Sequence, residues 1–154
     1  MNPSLRNRLV VAGIAAAVPL VAGFEGLRQK AYLDPVGIPT ACFGTTAGVR
    51  MGQTYSLEQC ENLLAAELLQ ATGAVSRCVT VPLNSNQRTA FTSFVYNVGP
   101  QNFCGSTLVR KLNAGDYAGA CNELPRWTYA KGVELPGLIK RRAAERQLCL
   151  SGVS

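Results

Sequence analysis

Apolar residues run almost unbroken from Leu9 to Phe24, with Arg6 and Arg8 just before them. As a single helix the run would be about 24 Å long, short of the roughly 30 Å hydrocarbon core of a bilayer. Its Ala and Gly content, with Pro19 inside it, makes it a weak permanent anchor. The positive flank would hold the start of the chain in the cytoplasm and direct the rest of the chain across the membrane. Three states fit the pattern. One is a signal peptide, cleaved near Ala15-Ala16-Ala17 or Val21-Ala22-Gly23. Another is an ordinary core helix, and the third is a signal-anchor segment that later leaves the bilayer.

Past this run the periodicity changes. Residues 26 to 55 are rich in Gly, Pro, Thr and aromatic or β-branched positions, which predicts short strands and turns. Ser56-Leu57-Glu58-Gln59 is a capping-box pattern opening a helix that reaches about Cys78. Asn84 to Gln87 opens another, in which Phe91, Phe94, Val95 and Val98 keep helical spacing until Gly99-Pro100 closes it. Shorter helices are predicted over 106–113 and 116–124, and a last one after Pro136 carries Arg141, Arg142, Glu145 and Cys149. No internal repeat, low-complexity tract or second domain is evident.

A chain of 154 residues with 47% hydrophobic and 16% charged positions is a folded domain, of one lobe or two. Its net charge of +6 suits an anionic polymer, cell-wall glycan or nucleic acid, and equally a plain solvated basic surface. No nucleic-acid motif is present and no aromatics interleave with the basic residues, so nucleic acid is not expected as a partner. Histidine is absent. Ser-His-Asp and Cys-His catalysis and His-containing zinc sites are therefore excluded, and with them zinc amidases and Cys-His peptidases. A glycosidase survives. The six cysteines, Cys42, Cys60, Cys78, Cys104, Cys121 and Cys149, contain no C-x-x-C pair. With the apolar N-terminus they suggest an oxidising compartment and three disulfides, whose pairing the positions alone leave open.

Glu25, Asp34 and Thr40 follow the apolar run in the order E-x8-D-x5-T. Two carboxyl groups and a hydroxyl suffice to hydrolyse a glycosidic bond: one acid protonates the leaving oxygen, and the other carboxylate with the hydroxyl handles water. Each also has a plainer explanation. Glu25 could be a surface residue, Asp34 in Tyr-Leu-Asp-Pro could cap a turn, and Thr40 could be a strand threonine.

The surrounding words decide between these. Phe24-Glu25-Gly26-Leu27-Arg28, Ala31-Tyr32-Leu33-Asp34 and Pro39-Thr40-Ala41-Cys42-Phe43-Gly44-Thr45 closely resemble the catalytic segment of phage-type lysozymes, the endolysins of glycoside hydrolase family 24. Phe94-Val95-Tyr96-Asn97-Val98-Gly99 is similar to the family's long central helix and its end. Ser106-Thr107-Leu108, Arg110 to Asn113, Arg126-Trp127 and Gly137-Leu138 before Arg141-Arg142 are similar to its C-terminal lobe. The likeness covers residues 24 to 150.

This resemblance implies a lysozyme-like α+β fold, mainly helical, with a small β lobe and a larger helical lobe joined by a long helix and a cleft between them. It implies hydrolysis, with inversion, of the β-1,4 bond between N-acetylmuramic acid and N-acetylglucosamine in peptidoglycan, with no cofactor or metal. Inversion requires carboxyls about 6.5–9.5 Å apart, with a water between. Glu25 would be the general acid, Asp34 and Thr40 would hold the attacking water, and Tyr96 and Asn97 would line the sugar site. Arg141 or Arg142 would orient Glu25. Cysteines of relatives correspond to pairs 42–60 and 121–149, leaving 78–104. Trp127 is expected in the core rather than as a sugar platform, and Thr45 stands where many relatives carry a structural His.

Position favours the releasable segment. The apolar run ends at Phe24, immediately before the acid, so cleavage after Gly23 would remove a helix the family's fold needs. Residues 1–24 are therefore expected to be a signal-anchor segment merging into the first helix, and 25–154 the catalytic domain. While embedded, the segment would hold Glu25 against the membrane; once released, it would complete the fold. The expected partners are peptidoglycan, the host secretion machinery and, transiently, the inner membrane. A monomer would act first at the periplasmic face of that membrane and then in the periplasm of a Gram-negative host. The rivals are a transglycosylase or chitinase-like activity and a non-enzymatic cationic protein that binds walls or disrupts membranes.

Overall fold

Of the two units into which the chain divides, Met1–Leu69 and Gln70–Ser154, the first begins on a capped helix; the computed structural model describes residues 1–153. Asn2 Oδ1 accepts from the Ser4 N–H at 2.8 Å, and Pro3 fills the first position of α1 (Pro3–Val11), where no N–H is required. Helix α1 stops at Gly13, whose φ of 73° is unstrained only for glycine. The Ile14 N–H reaches back to the Leu9 carbonyl and the Gly13 N–H to that of Val10, both at 3.0 Å. Leu9 and Ile14 are both buried, so the helix ends in a Schellman motif with its apolar pair inside.

The apolar run is thus two helices rather than one. Its second part is α2 (Ala17–Glu25), which accepts Pro19 because the first turn of a helix has no intrahelical use for its N–H groups. Leu9, Ile14, Ala17 and Val21 are at most 2% exposed, so this face of the run lies inside the fold. Among the described residues no helix is long and apolar enough to cross a membrane.

Strands β1 (Arg28–Leu33) and β2 (Pro39–Cys42) pair antiparallel, with Leu33 opposite Pro39 and Tyr32 opposite Thr40. Between Arg28 and Tyr32 the register shifts. There β1 also bonds residues 53–55: the Ala31 N–H donates to the Gln53 carbonyl at 2.9 Å and the Tyr55 N–H to that of Gln29 at 2.8 Å. The Cys42–Cys60 disulfide joins β2 to the start of α3 (Leu57–Cys78). That helix opens on a reciprocal box, Ser56 Oγ accepting from the Gln59 N–H at 3.1 Å and Gln59 Oε1 from the Ser56 N–H at 2.8 Å. Asn2 fastens the beginning of the chain to α3, its N–H donating to Asn62 Oδ1 at 2.8 Å.

In the second unit α4 (Ser85–Val98) is opened by a second reciprocal box, Asn84 with Gln87. Its Phe91 and Phe94 are fully buried with Phe103 of α5 (Pro100–Cys104) and with Leu108 and Leu112 of α6 (Thr107–Asn113). Helix α7 (Tyr117–Cys121) and α8 (Pro136–Leu150) complete this core and are joined by the Cys121–Cys149 disulfide, while Cys78–Cys104 joins α3 to α5. The three pairs are those the resemblance implies. Asn113 ties off the end of α3, donating to the Cys78 carbonyl at 2.9 Å and accepting from the Thr80 N–H at 2.8 Å.

The architecture is α+β and mainly helical, with four further departures from the sequence-based expectation. The longest helix is α3, of 22 residues, whereas Phe94 to Gly99 close the 14-residue α4. Pro100 ends α4 but also starts α5, since proline is suited to a first helical position. The helix expected over 116–124 stops at Cys121, and Leu124–Arg126 form a 3-10 turn, because Pro125 disfavours helical geometry in the residue before it. Finally, β3 (Tyr129–Ala130) and β4 (Val133–Glu134) form a hairpin. Its two loop residues, Lys131 and Gly132, both have positive φ, as a tight I′ connection requires.

Candidate active site

Glu25 is the last residue of α2 and is exposed. Gly26 follows with a φ of 74°, its N–H closing the helix on the Ala22 carbonyl at 3.1 Å, and the chain turns there toward β1. Arg28 then stacks over the Tyr32 ring at 3.7 Å, a cation–π contact along the irregular part of β1.

Asp34 and Thr40 are brought together by the loop that joins the two strands. Asp34 Oδ1 accepts from the backbone N–H groups of Val36 and Ile38, at 2.9 and 2.8 Å. Its own N–H donates to the Ile38 carbonyl at 3.0 Å, and its carbonyl accepts from the Gly37 N–H at 2.9 Å. Thr40, 4% exposed, donates its hydroxyl to that same Ile38 carbonyl at 2.9 Å. Asp34 is thus a turn cap, as its plainer explanation required, but only one oxygen does this. Oδ2 has no protein donor among the described residues. The Thr40 hydroxyl has spent its proton and keeps lone pairs to accept with.

The second unit builds a different cluster. On α4, Tyr96 is half-buried against the core and Asn97 is exposed. On α8, Arg141 and Arg142 are buried together with Glu145, which is 0% exposed. Glu145 Oε1 accepts from Ser93 Oγ at 2.8 Å and Arg141 Nε at 3.1 Å, while Oε2 accepts from Arg142 Nη1 at 2.6 Å. Arg141 Nη2 also donates to the Ser93 carbonyl at 3.0 Å. Arg142 spreads its fork over three partners: Nη1 to Glu145, Nε to the Trp127 carbonyl at 2.9 Å, and Nη2 to Asn97 Oδ1. Its guanidinium lies 4.9 Å from the centre of the Phe94 ring, whose own edge-to-face neighbour at 5.3 Å is Trp127. Trp127 packs against the core, as expected of it.

Sequence reasoning singled out both arginines but gave no role to Glu145 or Ser93. The signal for Glu145 was present, since it stands three and four residues past Arg142 and Arg141 on one helix, a spacing that pairs opposite charges. Ser93, on another helix, gave none. Thr45 is 2% exposed and its hydroxyl has no partner among the described residues. Among those residues no three Asp, Glu or Cys side chains gather as metal ligands would.

Known proteins resemble the chain over most of its length. Residues 22–145 match the family model described as phage lysozyme. The chain is 42% identical to a SAR-endolysin of Bacteriophage PS119 over 99% of its own length and 98% of that protein's. Among solved structures, a mutant of P22 lysozyme superposes with a TM-score of 0.80 at 37% identity, covering 88% of this chain and 96% of that one. The active form of the P1 phage endolysin Lyz gives 0.85 at 27% identity, covering 97% and 91%.

Proposed function

The chain belongs to the phage lysozyme family, glycoside hydrolases of the bacterial cell wall, and on that premise we propose that it cleaves the β-1,4 bond between N-acetylmuramic acid and N-acetylglucosamine. Glu25 protonates the glycosidic oxygen. Asp34 and Thr40 hold the water that attacks the anomeric carbon from the opposite face, and Arg141 or Arg142 supplies the cation that orients the acid. Tyr96 and Asn97 contact the glycan.

The observation that best supports these roles is the common tether of Asp34 and Thr40 to Ile38. One carboxylate oxygen and one hydroxyl are left as acceptors only. A water held by two acceptors donates both its protons and turns a lone pair outward, which is the orientation a nucleophile needs. Ionised, Asp34 also offsets the positive charge of the oxocarbenium-like transition state.

We infer further that residues 1–24 are a signal-anchor segment that leaves the inner membrane and that the enzyme acts as a monomer in the periplasm of its host, exported by the host's secretion machinery. The name of the PS119 relative and the burial of Leu9, Ile14, Ala17 and Val21 support this assignment. Reducing-end analysis of digested peptidoglycan tests the bond assignment. New ends consisting of N-acetylmuramic acid are expected; N-acetylglucosamine ends or anhydro products would refute it.

A further inference from the structure

Asn97 is exposed, yet its amide is not free to turn. Arg142 carries only donors, so the Asn97 atom facing it must be the oxygen. Nδ2 is therefore directed away from Arg142, and it has no partner among the described residues. Arg142 itself cannot swing aside: Glu145 holds Nη1 at 2.6 Å, the Trp127 carbonyl holds Nε at 2.9 Å, and the Phe94 ring lies beside the guanidinium. Glu145 is in turn fixed by Ser93 and Arg141.

From this chain of contacts we propose that Arg142, clamped by Glu145, is a positioning residue that makes Asn97 a pure donor toward bound glycan, selecting the acetamido carbonyl oxygen. A free asparagine amide can flip and meet either a donor or an acceptor. With its oxygen engaged it offers N–H alone. De-N-acetylation replaces the acetamido carbonyl, an acceptor, with an ammonium that only donates, so a fixed N–H donor discriminates for N-acetylated sugar where a free amide could turn its oxygen to the ammonium. This inference rests on the assignment of Asn97 as a glycan contact.

The test compares the full-length wild type with Asn97→Ala, Asn97→Asp and Arg142→Lys on peptidoglycan before and after chemical de-N-acetylation. Asn97→Asp leaves an oxygen for Arg142 and replaces the donor with a charged acceptor. Both Asn97 variants are expected to raise KM on native peptidoglycan roughly three- to tenfold, the size of one neutral hydrogen bond, with kcat little changed. Both should lose preference for N-acetylated substrate, Asn97→Asp at least as much as Asn97→Ala because its carboxylate accepts from the ammonium of the de-N-acetylated glycan. Arg142→Lys should lose the same preference, and its effect on preference should not add to that of Asn97→Ala. Unchanged preference in both Asn97 variants would overturn the glycan contact itself. Loss of preference in those two but not in Arg142→Lys would overturn only the positioning role. Should Arg142→Lys not fold, side-chain 15N relaxation of Asn97 in the wild type decides: an amide as rigid as the backbone supports the clamp, and one with the mobility of a free surface amide refutes it.

Discussion

Asp34 and Thr40 grip the two ends of one residue: the Asp34 carboxylate accepts from the Ile38 N–H at 2.8 Å, and the Thr40 hydroxyl donates to the Ile38 carbonyl at 2.9 Å. The two groups assigned to the attacking water are thereby fixed to a single peptide segment, and their roles in folding and in catalysis become separable. Asp34→Asn keeps an acceptor oxygen for the turn and removes the charge. It should lower kcat at least about 100-fold while shifting stability by no more than about 0.5 kcal/mol. Asp34→Ala should lose activity and also about 1–3 kcal/mol of stability, since it strips the acceptor from two backbone N–H groups. Turbidity assays and thermal melts on the two variants check this, and equal melting points would show that the turn does not depend on Asp34.

Thr40→Ser retains the hydroxyl and should keep most of the activity. Thr40→Val matches the shape but removes both the Ile38 bond and the acceptor for water, so a loss in kcat of about tenfold or more is expected. If valine worked as well as threonine, Thr40 would be no more than a strand residue.

Glu145 bonds both arginines of its cluster, Arg141 at 3.1 Å and Arg142 at 2.6 Å. Glu145→Ala leaves two guanidinium groups without that counter-charge and should cost about 3–5 kcal/mol, read as a lower urea midpoint at constant m-value. A loss under about 1 kcal/mol would mean that solvent or other groups compensate readily.

Much of this was legible in the sequence because the signals were local. The Ser56–Gln59 and Asn84–Gln87 boxes open α3 and α4 where their spacing predicts, and Gly99-Pro100 closes α4. The E-x8-D-x5-T order marks a helix end, a turn and a strand that the structure shows. The break of the apolar run was also written locally, in Gly13, but the continuous hydrophobicity of Leu9 to Phe24 outweighs a single glycine when only periodicity is read. The Lys131-Gly132 turn was hidden by the shortness of its strands, which span two residues each. The Ser93–Glu145 bond joins positions 52 residues apart, and no local pattern encodes such a partner.

An intact N-terminus distinguishes a released segment from a cleaved one. Mass spectrometry of the periplasmic enzyme should find the residues of α1 and α2 still attached. A mature chain starting near Phe24 would sink the signal-anchor assignment, because the buried residues Leu9, Ile14, Ala17 and Val21 would be missing from the active protein.

The most direct test of the central claim is the rate at which purified peptidoglycan clears with wild type and with Glu25→Gln, which keeps the shape of the side chain and removes the transferable proton. Clearing by wild type and a loss of at least about 100-fold in the variant, both folded alike by circular dichroism, is the predicted result. Equal clearing by the two proteins would contradict the assignment of Glu25 as the general acid.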